Sequence, residues 1–314
     1  MNSKLYRTQF IEALEPIHGT DEADSFFYLI LENKHQMKRI DLALEPNYEF
    51  SDEAINVWEE LVTQLKKEIP IQYLLGNTEF YGLPFNVNES VLIPRPETEE
   101  LVDWILSEEK RIERLKDVTI EGQKDLKIEG SKDVTIEGFK DLKILDIGTG
   151  SGCIAIALAK NIPNAQVFAI DVSVEALKVA KMNAYKNEVS VTFLEKDILQ
   201  TENLLEQFDI IVSNPPYVRN LEKHEIKNNV LEHEPHLALF VDDFDALIFY
   251  RKIALLSTEN LKSSGQLFFE INQYLGREMI DLLNEFGFED IELRKDIYGN
   301  DRMTRAVWNK QNKF

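Results

Sequence analysis

Cysteine is almost missing: Cys153 stands alone among 314 residues, so no disulfide can close within the chain. A reducing cytoplasm is the expected location, and the opening Met1-Asn2-Ser3-Lys4-Leu5-Tyr6-Arg7 has no apolar core of the kind a signal peptide carries. Long apolar runs are absent as well. Stretches such as Cys153 to Ala159 fall far short of the roughly 18 uninterrupted apolar residues of a spanning helix, so no membrane residence is expected. Glycine and proline number only 13 and 10, which excludes collagen-like and low-complexity chains. Basic residues are outnumbered 35 to 56, for a formal net charge of −21. That excess repels a phosphate backbone, so sequence-independent nucleic-acid binding is disfavoured and a protein or small-molecule partner is expected.

What is present is enough for about two domains: 44% hydrophobic residues, 10% of the chain aromatic. Residues 1–70 carry helical periodicity. Leu5, Phe10, Ile11 and Leu14 form one apolar block, Phe26, Phe27, Leu29, Ile30 and Leu31 a second, with His18-Gly19 between them. A third segment holds Ile40, Leu42 and Leu44. A fourth starts at Ser51, a plausible N-cap, and places Ile55, Trp58, Leu61, Val62 and Leu65 on one stripe. This reads as a small helical bundle ended by Pro70. Residues 71–93 switch to aromatics, Gly and Asn and predict a β-hairpin linker around Phe80-Tyr81-Gly82-Leu83-Pro84-Phe85. A helix from Glu97 to about Arg114 follows.

Lys116, Lys124, Lys132 and Lys140 each precede an Asp at a spacing of eight. This repeat, an insertion at 116–139, is too short to bury a core of its own, so it does not make a solenoid. From Lys143 onward short apolar runs alternate with helical stretches: Lys143 to Ile147, Ala165 to Ile170, Val189 to Leu194, Phe208 to Val212 and Gly265 to Ile271. Alternation of this kind predicts an α/β fold with a mostly parallel sheet and a ligand site at the carboxyl ends of its strands. The tail from Asp290 to Trp308 reads as a final β-hairpin. The expected catalytic domain is thus 94–314.

Four strand ends carry the chemistry. Asp146-Ile147-Gly148-Thr149-Gly150-Ser151-Gly152 follows a strand and opens a helix, and its alternating glycines let a backbone approach a nucleotide-type ligand. Asp171 ends the next strand, 23 residues after Gly148, where a carboxylate can accept ribose hydroxyls; alone it reads equally as a helix N-cap. Asp197 and Ile198 end a third and could hold the edge and face of an adenine. Asn214-Pro215-Pro216-Tyr217 ends a fourth: the Asn side-chain oxygen and the Pro215 carbonyl form two acceptors on a stiff backbone, suited to a planar NH2 group, with the Tyr217 ring able to pack on it. His233 and His236 lack a third ligand, and no metal is expected. Cys153 reads as a structural residue.

Asp146-x-Gly148-x-Gly150-x-Gly152 together with Asn214-Pro215-Pro216-Tyr217 resembles the class I S-adenosylmethionine-dependent methyltransferases that modify planar NH2 groups. Ile93-Pro94-Arg95-Pro96-Glu97-Thr98-Glu99, Gln72-Tyr73-Leu74-Leu75-Gly76, Glu234-Pro235-x-x-Ala238-Leu239 and Asp296-x-x-Gly299-x-x-Arg302 are similar to the release-factor glutamine methyltransferase (HemK/PrmC) family. The resemblance implies a Rossmann-like, seven-stranded sheet with an antiparallel C-terminal hairpin. It implies S-adenosyl-L-methionine as cofactor, held by Gly148, Thr149, Gly150, Ser151, Gly152, Asp171, Asp197, Ile198 and Asn214. The acceptor would sit on Asn214, Pro215, Pro216 and Tyr217, with Asn214, Pro215 and Tyr217 in the catalytic role. The implied substrate is the glutamine of the Gly-Gly-Gln loop of class I peptide-chain release factors, docked by the helical domain. Arg95, Glu97 and Thr98 receive no separate role. The competing readings are a ribosomal-protein glutamine methyltransferase, an adenine-N6 methyltransferase acting on nucleic acid, and a cofactor-binding protein with a helical interaction module.

Overall fold

The computed structural model describes residues 1–108 and 142–310; the octapeptide insertion and the far end of the helix expected to reach Arg114 lie outside these. Two compact units are present. One comprises Met1–Asn77, Val87–Glu89 and His224–Glu234, the other Thr78–Asn86, Ser90–Lys223 and Pro235–Phe314.

In the first unit, α1 (Ser3–His18), α2 (Thr20–His35), α3 (Arg39–Leu44), α4 (Asp52–Leu65) and α5 (Ile71–Leu75) follow one another. Gly19, at φ 78°, makes the break between α1 and α2, a backbone angle that favours glycine. Ser51 caps α4, its Oγ accepting the Ala54 N–H at 3.2 Å. Trp58 sits at the centre. It is wholly buried, with Tyr6, Phe10, Phe27 and Phe50 ring centroids 5.7, 5.5, 4.9 and 5.4 Å away. Its indole N–H donates to His35 Nε2 at 2.9 Å, so burial is achieved without an orphaned donor. An accepting ring nitrogen carries no proton, and burial lowers the His35 pKa in the same sense.

Three expectations for this unit need correction. Leu5 is exposed and Tyr6 takes the inward place on α1, while Phe10 and Leu14 are buried as expected and Ile11 packs at the edge of the same cluster. Segment α3 forms, but only Leu42 of its expected apolar residues packs on the core, partly buried, while Ile40 and Leu44 are exposed. Pro70 does not end the helical run, because it stands as N-cap of α5, a position where its missing N–H costs nothing. Residues 224–234 complete the unit: His233 Nε2 bonds the Lys67 carbonyl at 3.0 Å.

The second unit begins with the hairpin of β1 (Asn77–Phe80) and β2 (Leu83–Asn86). Tyr81 and Gly82 both have positive φ, 52° and 70°, the signature of a two-residue type I′ turn. A helix described over 96–108 (α6) follows. Next come β3 (Lys143–Ile147), α7 (Cys153–Asn161), β4 (Gln166–Asp171), α8 (Val174–Lys186), β5 (Val191–Glu195) and β6 (Phe208–Ser213). After β7 (Val218–Arg219) comes α9 (Asn228–His233), which belongs to the first unit; the second continues with α10 (His236–Leu239) and β8 (Phe240–Val241) and ends with α11 (Ile248–Asn260), β9 (Leu261–Glu270), α12 (Gly276–Glu285), β10 (Glu289–Lys295) and β11 (Asp301–Trp308).

Seven strands form one sheet in the order β10-β11-β9-β6-β3-β4-β5. Strands β3, β4, β5, β6 and β9 are parallel, while β11 runs antiparallel to β9 and β10. Both faces are covered. Ile144, Ile210, Val212 and Phe268 pack on one side with Leu101, Trp104 and Ile105 of α6 and the apolar residues of α7. Leu145, Ile147, Ile211, Leu267 and Phe269 pack on the other with Tyr250, Ile253, Met279 and Leu283. Burial on alternate sides is why these strands read as near-continuous apolar runs. The strand order reverses beside β3, which places β3, β4 and β6 around the crevice where such sheets bind ligands.

The Trp58→Ala substitution is expected to cost about 3–5 kcal/mol, the range for emptying a buried aromatic site. Denaturant unfolding followed by circular dichroism checks it: an unmoved transition for the helical unit would show that the aromatic cage contributes little.

Candidate active site

Four loops, at the carboxyl ends of β3, β4, β5 and β6, line a cleft of about 260 Å³. The first is the glycine loop. Its N–H groups at Gly148 and Thr149 donate to the Ile170 carbonyl at 2.9 and 3.1 Å, tying it to β4. Gly148 and Gly150 have φ of 74° and 54°, and a Cβ built on either would enter open space. These positions therefore need glycine for conformation and leave room beside the backbone. Gly152 differs: a Cβ there would lie 2.9 Å from Ile156 Cδ1 and 3.1 Å from the Ala180 Cβ. It is a glycine for helix packing, and it does not line the cleft.

Asp146 braces this loop from beneath. Its Oδ2 accepts the Thr149 hydroxyl at 2.6 Å and the Ala155 N–H at 3.3 Å, while Oδ1 has no partner among the described residues. The group is fully buried, and desolvation pushes its pKa up to about 7, against the two hydrogen bonds that favour the charge and with the nearby Asp171 adding to the rise. Asn183, also fully buried, holds the loop from the side. Its Nδ2 donates to the carbonyls of Ser151 and Asn86 at 2.9 and 3.0 Å, and its Oδ1 accepts the Asn86 N–H at 2.7 Å.

Asp171 ends β4 and lines the cleft. Oδ2 accepts the Gly150 N–H and Oδ1 the Ser173 N–H, both at 2.8 Å. Each oxygen keeps a further lone pair. Burial raises the pKa of this carboxyl, opposed by its backbone donors. Asp197 and Ile198 line the same cleft, with Asp197 Oδ1 accepting the Leu199 N–H at 2.9 Å.

The fourth expected segment leaves β6, the strand paired with β3, and Asn214, Pro215 and Pro216 all line the cleft. Asn214 Nδ2 donates to Thr98 Oγ1 at 3.3 Å, and the Thr98 hydroxyl donates to Glu270 Oε2 at 2.6 Å. Tyr217 departs from expectation. Its hydroxyl donates to Glu270 Oε1 at 3.1 Å, its ring packs against the buried cluster under the sheet, and it is not part of the cleft wall. The bond to a buried carboxylate holds the ring there, and burial, with the Glu270 charge adding to it, keeps the phenol protonated. Arg95 and Thr98 join the wall, as do Pro235 and Ala238 of the Glu-Pro-x-x-Ala-Leu segment. Asp296-x-x-Gly299-x-x-Arg302 braces the final hairpin instead: Asp296 accepts the Tyr298 and Asn300 N–H groups and Arg302 Nε at 3.0, 2.9 and 3.1 Å. Cys153 lines the cleft, yet desolvation pushes its thiol up to about 12, which keeps it protonated and inert.

Residues 7–76 match the family described as PrmC N-terminal domain, and residues 132–237 match the Methyltransferase small domain. A release factor glutamine methyltransferase of Flavobacterium psychrophilum is 58% identical over 303 residues, spanning 96% of this chain and 98% of that one. The chain belongs to the release factor glutamine methyltransferase family. Another such methyltransferase, from Bacteroides thetaiotaomicron, is 40% identical over 94% of this chain and 96% of its own. Among solved structures, the catalytic domain of hMettl16 in complex with MAT2A 3′UTR hairpin 6 superposes with a TM-score of 0.50 at 15% identity, covering 73% of this chain and 76% of that one. That likeness is one of fold.

In this methyltransferase, sequence reasoning missed Asn183 and Glu270 and gave Thr98 no role. One signal was available for Glu270: an acid inside Leu267-Phe268-Phe269-Glu270-Ile271 is placed where acids are rarely buried unless bonded.

Asp146 carries a pH signature. Its folded pKa lies above its unfolded value, so the folded state binds the extra proton, and its contribution to stability is lost as pH rises from about 4 through about 7. The neutral isostere in Asp146→Asn escapes this. The thermal midpoint of Asp146→Asn relative to wild type is expected to rise between pH 5 and pH 8; a difference independent of pH would contradict the buried, raised carboxyl.

Proposed function

We propose that the chain transfers a methyl group from S-adenosyl-L-methionine to the side-chain amide nitrogen of the glutamine in the Gly-Gly-Gln loop of class I peptide-chain release factors. The observation that carries this reading is the state of Asn214. Its NH2 is committed to Thr98, so its oxygen is the end left to accept, and Pro215 follows it on the same cleft wall. Two acceptors side by side suit a carboxamide NH2. Family membership supplies the glutamine and the release factor.

The cleft residues fit the cofactor. The glycine loop leaves open space at Gly148 and Gly150, where its backbone can follow the methionine portion. Asp171 keeps lone pairs for ribose hydroxyls at the tip of β4, and Asp197 with Ile198, which line the same cleft, would take the adenine. When bound, the cofactor supplies a methyl group already activated by its sulfonium charge. The chain's own task is chiefly placement, because an amide nitrogen is a weak nucleophile with a delocalised lone pair. Orientation of this kind can remove roughly 7–11 kcal/mol of barrier. Asn214 and the Pro215 carbonyl would also stabilise the positive charge that grows on the nitrogen as it is alkylated. The helical unit, of which residues 224–234 are part, would dock the release factor.

Mass spectrometry of a release factor incubated with the enzyme and labelled cofactor is expected to find one added methyl on the Gly-Gly-Gln glutamine. Label on a ribosomal protein or on DNA in its place would overturn the substrate assignment. Asn214→Ala is expected to slow transfer by about 10²-fold or more while cofactor affinity, measured by calorimetry, stays nearly unchanged.

A further inference from the structure

A carboxamide has two ends that differ little in shape, and only one of them serves an acceptor NH2. Asn214 must therefore be held with its oxygen available, and nothing in the Asn-Pro-Pro backbone chooses between the two orientations. The choice is made two residues away in the hydrogen-bond chain. Glu270, 1% exposed at the end of β9, receives two hydroxyl protons: Thr98 on Oε2 at 2.6 Å and Tyr217 on Oε1 at 3.1 Å. In its ionised form, which the Thr98 and Tyr217 hydroxyls and the Arg302 charge favour against burial, Glu270 only accepts, so Thr98, itself 2% exposed, spends its single proton on Glu270. What remains at Oγ1 is lone pairs, and the group that meets them must donate. Asn214 presents its NH2 there, and the oxygen is left over.

We infer that Thr98 and Glu270 are positioning residues that orient the Asn214 carboxamide for the acceptor. The inference rests on the proposed glutamine methyl transfer and gives that site its source of direction. Tyr217 serves the same carboxylate from the other side. The Tyr250 hydroxyl donates to the Glu270 carbonyl at 3.2 Å, tying the end of β9 to α11, and Asn272 Nδ2, just beyond β9, donates to the Tyr217 carbonyl at 3.0 Å, at the end of the Asn-Pro-Pro-Tyr turn. In a buried place an unsatisfied member costs more than a bond is worth, which makes the arrangement all-or-none.

The test measures methylation of a release factor by the full-length chain, with kcat, KM and cofactor dissociation constant for wild type, Thr98→Val and Thr98→Ser. Valine keeps the volume and removes the relay; serine keeps the hydroxyl. Thr98→Val is expected to lower kcat by about 10- to 100-fold, the scale of a misplaced reacting group, with cofactor affinity within about twofold of wild type, whereas Thr98→Ser keeps at least about a third of the wild-type kcat. A stabilising role alone would move the thermal midpoint of both variants and spare kcat. Should Thr98→Val not fold, Glu270→Met is measured in its place: it keeps the approximate length and volume and removes both acceptors, and the same kcat loss is expected. Wild-type kcat in the hydroxyl-free variant, or equal loss in valine and serine variants, overturns the relay alone. A wild-type chain that leaves the release factor unmethylated refutes the functional reading itself, and the relay falls with it.

Discussion

A threonine hydroxyl has one proton to give, and at Thr98 that proton goes to a buried carboxylate. The orientation of Asn214 follows from this one fact, and with it the chemical character of the cleft wall. Burial raises the Glu270 pKa by disfavouring the charge, opposed by the two hydroxyls that meet its two oxygens and by the charge of Arg302. The same logic recurs at Asp146, where a hydroxyl and a backbone N–H meet one oxygen, and the loop above takes its shape from the bond. Both acids are wholly enclosed and act through a neighbour.

The parallel sheet makes these local bonds possible. Strands β3, β4, β6 and β9 deliver their carboxyl ends to one edge, so Asp146, Asp171, Ser213 and Glu270 arrive near one another without any of them being close in sequence. Ser213 adds a cross-strand tie, its hydroxyl donating to the Ile147 carbonyl at 2.7 Å. Helix α6 then brings Thr98 to the same edge from outside the sheet. Rigidity comes from packing on both faces, and the loops inherit it.

Much of this was legible from local pattern. The strands were readable because burial on both faces leaves continuous apolar runs, and the glycine loop and the Asn-Pro-Pro turn because their residues have few other uses at a strand end. Details were less so: Tyr6, packed against Trp58, took the inward place expected of Leu5, and Pro70 opened a helix where a stop was expected. The orientation of Asn214 was not legible. Thr98 and Glu270 are 172 positions apart, and Tyr217 and Glu270 53 apart, so no window contains the relay. Tyr217 shows the same limit from the other side: its place in an Asn-Pro-Pro-Tyr run points to a substrate-facing ring, while the acid that draws its hydroxyl inward lies on another strand.

A crystal structure of the enzyme with S-adenosylhomocysteine and a Gly-Gly-Gln peptide addresses the central claim most directly. The account expects the glutamine side-chain nitrogen within hydrogen-bond reach of both Asn214 Oδ1 and the Pro215 carbonyl, with Asn214 Nδ2 still on Thr98. A glutamine nitrogen bound elsewhere, or an Asn214 carboxamide turned the other way with its hydroxyl partner lost, would contradict it.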